Sequence, residues 1–506
     1  MKNLFIKAAA VCLSVVLLNT GCKKFLDQEV PGAYAEEDFY KTDQDITQAV
    51  TAAYDMMQAH YNNNWGSLYM IKMLLSDESN AGGSDAGDQP GYQTLDDFTF
   101  DATNDKVRDA WRMCYFTIYR TNKVINRSEA TNTLRKRLIA EAKFLRAYNY
   151  FELVSLWGDV PLVLNDIAPS AYTSTGRKPK ADVYAQIEKD LGEAITDLPL
   201  KSAYTGADRF RVTKGAAQAL LGKALLYQAK YPEAAVQFEN VITSSQYGLA
   251  PSVGAAFSRN FEFGTESVFE ISYTNARSYD WGNFPWGGAP ESNIHIQLMG
   301  PRGDYYTKAP SDSLIAGWGF NLPKQKLYNA YVAAGDVNRR RQTIMSATEL
   351  IANGGNWSNP AAYDYEGFFQ RKYGAFASQT GGPISELNYG TNWRHIRYSD
   401  VLLMAAEAFN KSPAPNDTKA RQYLNLVRQR AGLVDINTSG GALFTDIVKE
   451  RQLELAFEAV RFTDLVRWGM AATELAPLGY QQAKHSLLPI PDFDVRTAKL
   501  TQNPGY

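Results

Sequence analysis

The chain has 506 residues, with 52 basic and 54 acidic side chains, a net charge of −2 and 45% hydrophobic residues. That near-neutral, slightly acidic balance argues against nucleic acid as a partner, because neutralising phosphates takes a basic surface. The length exceeds a usual single core, so two interwoven parts or one large elaborated domain are expected.

Residues 1–21 read as an export signal. Lys2 and Lys7 make a positive start, and Ala8 to Leu18 form an apolar run. That run is too short for a bilayer span, which takes about 20 apolar residues. Gly21 then stands directly before Cys22, the arrangement of a bacterial lipobox in which Cys22 is acylated and becomes the first mature residue. Asn19 departs from the usual apolar residue three places before the cysteine, and an ordinary signal peptide remains the alternative. Cys12 leaves with the leader, so a lipid on Cys22 leaves Cys114 without a disulfide partner. Cys114, inside WRMCYFTIYR, is expected to be a small buried hydrophobe.

Helical patterns dominate the body, and one of them repeats. From Gly215 to Gln246, Leu221-Gly222 followed by Ala234, Phe238 and Val241 falls at the spacings of a tetratricopeptide repeat of about 34 residues. Small Gly222 and Ala234 let two helices approach, Leu221 and Phe238 fill the seam, and Pro232 opens the second helix where a missing N–H costs nothing. A second pair begins at Tyr398, with Met404-Ala405 at the close contact and Ala420, Leu424 and Val427 opposite. A third joins Leu134–Leu156 to Ala181–Leu198 through a long connection. Three pairs are about the minimum for a solenoid; generic helical hairpins are the alternative.

The middle, from about 252 to 393, is rich in Gly, Asn, Pro and aromatics and poor in helical period. It holds YDWGNFPWGGAPESN, GPRGDYY and AGWGFNLP, and a similar patch, NAGGSDAGDQPGYQ, lies at 80–93. Loops this long are uncommon unless functional. Asp77, Asp85 and Asp88 are hard oxygen donors among glycines, which leaves calcium as an alternative to a solvated acidic loop; the spacing is not that of an EF-hand, and no cofactor is expected. His60, His295, His395 and His485 are scattered, with no HExxH, no GxSxG and no phosphate loop, so catalysis is disfavoured.

Near the end, KERQLELAFEAVRFTDLVRWG reads as one helix over 449–469. Leu453, Ala456, Phe457, Val460 and Leu465 make its apolar stripe, Glu458/Arg461 and Asp464/Arg467 its ion pairs, and Gly469 its stop. This block with LLPIPDFDV and LTQNPGY resembles the C-terminal signature of the SusD/RagB family of nutrient-binding outer-membrane lipoproteins. CKKFLDQEVPG, AEAKFLRAYNYFELVSLWGDVPLV (Ala140–Val163), GWGFNLPKQKLYNAY and RYSDVLLMAAEA resemble further family motifs in the same order, so the likeness covers nearly the whole chain. Ala459 stands where the family often has glycine, a change expected to favour helix and do no harm.

The resemblance implies a mainly α fold, with a lipoprotein signal at 1–21 and a SusD-like domain at 22–506. In that domain a tetratricopeptide-like scaffold would occupy mainly 40–250 and 394–470, a loop-rich binding region about 252–393, and a tail 471–506. It implies non-catalytic capture of an oligo- or polysaccharide at the cell surface and delivery to a SusC-like TonB-dependent transporter, the chain being held at the outer membrane by lipid on Cys22. Sugars offer flat C–H faces to aromatic rings and hydroxyls to planar polar groups. Six tryptophans lie in or beside loops: Trp65, Trp281, Trp286, Trp318, Trp357 and Trp393. Trp281 and Trp286 with Phe284 between, then glycine-flanked Trp318, are the candidate stacking platform. Asp77, Asn80, Asp88 and Tyr92 are the candidate polar or stacking contributors. Two other readings stay open, a tetratricopeptide scaffold that binds protein and a surface glycan hydrolase using two of the 54 acids.

Overall fold

The computed structural model describes residues 39–60, 66–277, 280, 291–311, 314–381 and 387–506. Ten helices build the scaffold: α1 Asp43–Ala59, α2 Asp105–Arg127, α3 Thr133–Trp157, α4 Lys180–Asp197, α5 Lys214–Tyr227, α6 Tyr231–Thr243, α7 Tyr398–Lys411, α8 Asp417–Ala431, α9 Gly440–Glu454 and α10 Arg461–Arg467. Polar caps fix their starts. Thr42 and Asp45 close a capping box on α1, and Asn104, Asn132, Thr213 and Asn416 accept backbone N–H groups at α2, α3, α5 and α8. Among the described residues no helix is long and apolar enough to cross a membrane.

Helices pack in succession, α2 on α3, α3 on α4, α4 on α5, α5 on α6, α6 on α7 and α7 on α8 and α9. The array is the tetratricopeptide-like stack that the small-residue seams announce. At Gly222 the reason is steric: a Cβ there would lie 2.5 Å from the Phe238 ring. The chain leaves the array after α6 and resumes at α7, which seats on α6 as though nothing intervened. The excursion carries short antiparallel pairs: β2 (Ser267–Ile271) with β8 (Trp393–Arg397) at its base, β3 (Tyr306–Thr307) with β6 (Asn356–Trp357), and β5 (Ile344–Ser346) with β7 (Phe368–Gln370). A fourth pair joins β1 (Ser79–Gly82), before the array, to β4 (Phe320–Pro323). Cys114 is fully buried, its Sγ 3.8 Å from Nδ1 of His60.

The C-terminal block corrects the reading of one helix over 449–469. Helix α9 ends at Glu454, and Phe457 and Ala459 take left-handed φ of 60° and 58° before α10 starts at Arg461. A left-handed alanine is strained by its Cβ, so the exchange of glycine for Ala459 carries a cost instead of favouring helix. Ala459→Gly is expected to raise stability by about 0.5–1 kcal/mol, read as a higher urea midpoint at unchanged slope. The Asp464/Arg467 pair forms, at 2.8 Å, and Gly469 follows α10 with φ of 71°. The Glu458/Arg461 pair does not. Once the turn intervenes, Glu458 meets Arg397 at 2.6 Å and Lys372 at 2.8 Å, while Arg461 reaches Asp77 at 2.8 Å.

The break aims buried carboxylates at several elements. Glu454 meets Arg397 at 3.0 Å, Arg339 at 3.1 Å and Arg430, and Glu450 meets Arg339 at 2.6 Å and Arg428 at 2.8 Å. Beyond α10 the tail returns to α3: Leu488 N–H donates to Leu156 O at 2.7 Å, and Trp157 Nε1–H donates to Pro489 O at 2.9 Å.

Candidate ligand-binding site

The β1–β4 pair brings the early acidic loop to Trp318. Asn80 sits opposite Leu322 and Gly82 opposite Phe320. Gly82 has φ of 75°, and a Cβ there would collide with the Gly319 carbonyl oxygen, so only glycine permits this approach. Gly83 N–H then donates to Gly319 O at 2.8 Å. On the other side GPRG packs against AGWG: Gly319 N–H donates to Gly300 O at 2.9 Å, Gly303 N–H to Gly317 O at 3.0 Å, and a Cβ on Gly300 would stand 2.8 Å from Gly317 Cα. Trp318 is therefore held by its backbone between two loops, half-buried, with Ser84 to Gly87 on one side and Gly303 and Asp304 on the other exposed.

The early loop is stiffened by its own acids. Asp88 accepts from Ser84 N–H at 2.9 Å and Ser84 Oγ–H at 3.1 Å, and Asp85 accepts from Gly87 N–H at 2.7 Å. Gln93 ties the loop down by donating to Gly82 O at 2.8 Å and Asp88 O at 2.9 Å, and Tyr363 donates to Gln93 Oε1 at 3.2 Å. Arg302 stands among them, 3.8 Å from Asp88 and 2.9 Å from Asp304, and donates to Trp318 O at 3.3 Å. Asn80 donates to Asp364 O at 3.0 Å and Glu366 Oε1 at 2.8 Å, joining the 364–366 turn to the same sheet.

Two candidates on this loop face inward. Asp77 is 2% exposed and paired with Arg461 and Lys326, at 2.8 and 2.7 Å. Burial alone would raise its pKa, but the two cations outweigh burial and hold it at about 2. Tyr92 is fully buried, edge-on to Phe320 at 5.7 Å, with Lys106 Nζ 5.3 Å from its ring centre. Neither presents a surface to a ligand in this conformation; both brace the loop from below. Trp281, Phe284, Trp286, Trp65 and Cys22 lie outside the described residues.

Trp357 and Trp393 belong to the interior. Trp357 joins Tyr306, Leu350 and Phe369 in a small second core, and Trp393 stacks on Tyr69 at 4.3 Å. His60, His295 and His485 are buried, and burial drives His60 and His295 down to about 3, so they stay neutral. His395 accepts or donates at 2.7 Å with the Tyr148 hydroxyl. Among the described residues no group of three or more His, Cys, Asp or Glu is placed to hold a metal ion. Arg302, Gln93 and Tyr363 stand in this candidate neighbourhood, and sequence reasoning did not single them out. The GPRGDYY motif flagged the neighbourhood of Arg302, but a lone arginine has no spacing that marks its role.

A stack of helix pairs interrupted by a long, largely non-helical excursion defines the class: a helical-repeat scaffold with an elaborate insertion. Residues 325–506 match the family described as "SusD family", and residues 24–226 the one described as "Starch-binding associating with outer membrane". The chain is 28% identical to "SusD-like protein P2" of Formosa agariphila over 97% of this chain and 98% of the relative. Among solved structures it is similar to "Laminarin binding SusD-like protein", with 31% identity, TM-score 0.82, and coverage of 92% of this chain and 100% of the other. It is also similar to "Surface glycan-binding protein A from Bacteroides thetaiotaomicron in complex with laminarihexaose", with 27% identity, TM-score 0.78, and coverage of 91% and 99%. The chain belongs to the SusD/RagB family.

Proposed function

We propose that the chain captures an oligo- or polysaccharide at the cell surface without cleaving it and delivers it to a SusC-like TonB-dependent transporter in the outer membrane, held there by lipid on Cys22. The observation that carries this reading is the backbone convergence of three distant segments at Gly82–Gly83, Gly300–Gly303 and Gly317–Gly319, which flanks half-buried Trp318 with the exposed residues Ser84 to Gly87, Gly303 and Asp304 nearby in the chain. A ring against a sugar face with amide, hydroxyl and guanidinium groups at its rim is what saccharide recognition requires. Trp281, Phe284 and Trp286 stay candidate stacking residues on the sequence alone, and Asp88 and Asn80 order the polar edge near Trp318 in this reading. The laminarin named for one similar structure and the laminarihexaose named for another make laminarin the first ligand to try.

Affinity electrophoresis of the full-length protein in detergent, through gels containing laminarin and other neutral glycans, tests the reading. Trp318→Ala is expected to weaken retention about tenfold or more, as loss of a central aromatic contact does, and Trp318→Phe to keep part of it. Equal retention of wild type and Trp318→Ala on every glycan that binds would remove Trp318 from the site. Reducing sugar released from the gel polysaccharide by the purified protein would replace capture with hydrolysis.

A further inference from the structure

The segments that seat Trp318 gather acids. Asp88 and Asp304 share Arg302, at 3.8 and 2.9 Å, and Arg302 donates to Trp318 O at 3.3 Å. On β1, whose Gly82 closes on Gly319, Asp96 accepts from Ala81 N–H at 2.8 Å and Asp364 from Gly82 N–H at 3.2 Å. Glu366 accepts from Asn80 of the same strand at 2.8 Å. Asp85, in the loop that follows, and Asp97 are exposed.

The cations nearby do not balance them. Arg302 serves two acids, and Lys324, paired with Asp96 at 3.1 Å, also draws on Asp364. Lys106, against Tyr92, is paired with Asp105 at 3.1 Å. Among the described residues Asp85, Asp97, Asp364 and Glu366 form no ion pair. The internal segments outside the described residues contain neither Lys nor Arg, so they cannot supply the missing charge. Tyr363 registers the excess: burial raises the pKa of its hydroxyl, and Asp364, Asp97, Asp96 and Asp85 each push it further up. Tyr363 donates to Gln93, which ties down the loop beside Trp318, so the negative potential lies at the candidate site. A carboxylate only accepts hydrogen bonds, which suits the hydroxyls of a neutral sugar. Sulfate esters and uronates are also acceptors only and carry the same sign, so this rim offers them repulsion and no hydrogen bond. Exposed charges act over about 8 Å at physiological salt, far enough to reach a chain on the indole without touching it.

We propose that the acidic rim makes the Trp318 site selective for uncharged glycans and closes it to chains bearing sulfate esters or uronate carboxylates. This rests on the capture reading above and adds to it the class of chain. The test is biolayer interferometry of the full-length protein in detergent. Laminarin, or whichever neutral glycan retains the protein in the gels, is compared with its own sulfated derivative, so the backbone stays the same. Wild type is expected to bind the sulfated chain about tenfold or more weakly at about 50 mM NaCl, with the gap shrinking severalfold at about 500 mM. Sulfation also removes hydroxyls, a loss that salt does not restore, so the salt-dependent part of the gap belongs to charge. Asp85→Asn/Asp304→Asn keeps acceptor oxygens at two exposed positions and removes two charges. It should narrow the ratio of the two affinities about fivefold, and any change common to both ligands cancels in that ratio. Equal binding of the neutral and sulfated chains, or a gap indifferent to both salt and variant, overturns the rim and leaves capture standing. Retention by sulfated chains alone also overturns the rim, whereas retention by no glycan at all removes capture and the rim with it.

Discussion

Glu454→Gln is expected to destabilise the protein by about 3–5 kcal/mol, the usual cost of leaving buried charges without their partner. Glu454 is fully buried and neutralises Arg339, Arg397 and Arg430, which come from three different elements. Gln keeps the shape and removes the charge, so the loss measures one carboxylate withdrawn from guanidiniums that retain Glu450, Glu458 and Glu266 as further partners, and not a cavity. Burial pushes the Glu454 carboxyl up, but Arg430, Arg397 and Arg339 pull harder and hold its pKa well below the usual range. The sign follows. A carboxylate with a depressed folded pKa contributes stability above its unfolded pKa and loses that contribution as pH falls. The gap between wild type and Glu454→Gln in urea unfolding should therefore be widest at pH 7 and narrow as the pH is taken below about 4.5. A pH-independent difference under 1 kcal/mol would show that the network carries no net stabilisation.

That network also marks where sequence reasoning succeeds and where it stops. The helix pairs are legible because the seam at Gly222 and Phe238 is a local steric fact, repeated at a fixed period. The alternation of acids and bases in the C-terminal block is equally visible, yet its pairing is not. Turn residues normally advertise themselves as Gly, Asn or Asp, and here the left-handed positions are Phe457 and Ala459, which read as helix. Two non-glycine residues are held there because the buried carboxylates on either side of the turn are fixed by partners remote in sequence. The candidate site is half legible for the same reason. Glycine flanking draws attention to Trp318, but β1 and β4 are four residues each and too short to show alternation, so nothing local announces that the 83–88 loop lies beside it. Asp77 looks like a ligand-facing acid until Arg461 is brought to it by a fold-wide contact.

The neighbour of Asp77 behaves oppositely, and it supplies the second large expectation. Glu78 is 1% exposed; its Oε2 accepts from Phe457 N–H at 3.2 Å, and its Oε1 has no hydrogen-bond partner. Burial raises its pKa to about 8, Arg461 opposing and the Asp77 carboxylate assisting. The folded protein therefore holds a proton that the unfolded chain, with an ordinary glutamate near 4.5, has released at neutral pH. Native Glu78 binds more protons than unfolded Glu78 throughout that window, so its contribution falls as pH rises from 4.5 to about 8. At about 1.4 kcal/mol per pKa unit the full span is of the order of 5 kcal/mol. Glu78→Gln mimics the neutral acid at all pH values. Its unfolding free energy should match wild type below about pH 4.5 and exceed it progressively above, by several kcal/mol at pH 9. Urea titrations of both proteins at pH 4.5, 7 and 9 read the difference directly, and parallel curves across that range would place an ionised glutamate against Phe457. The same titration separates the two acids of this turn, because Asp77 holds its partners as an ion and Glu78 sits beside it as a neutral acid. A single Asp-Glu step in the chain thus opposes one pH trend with the other where the early loop meets the C-terminal block.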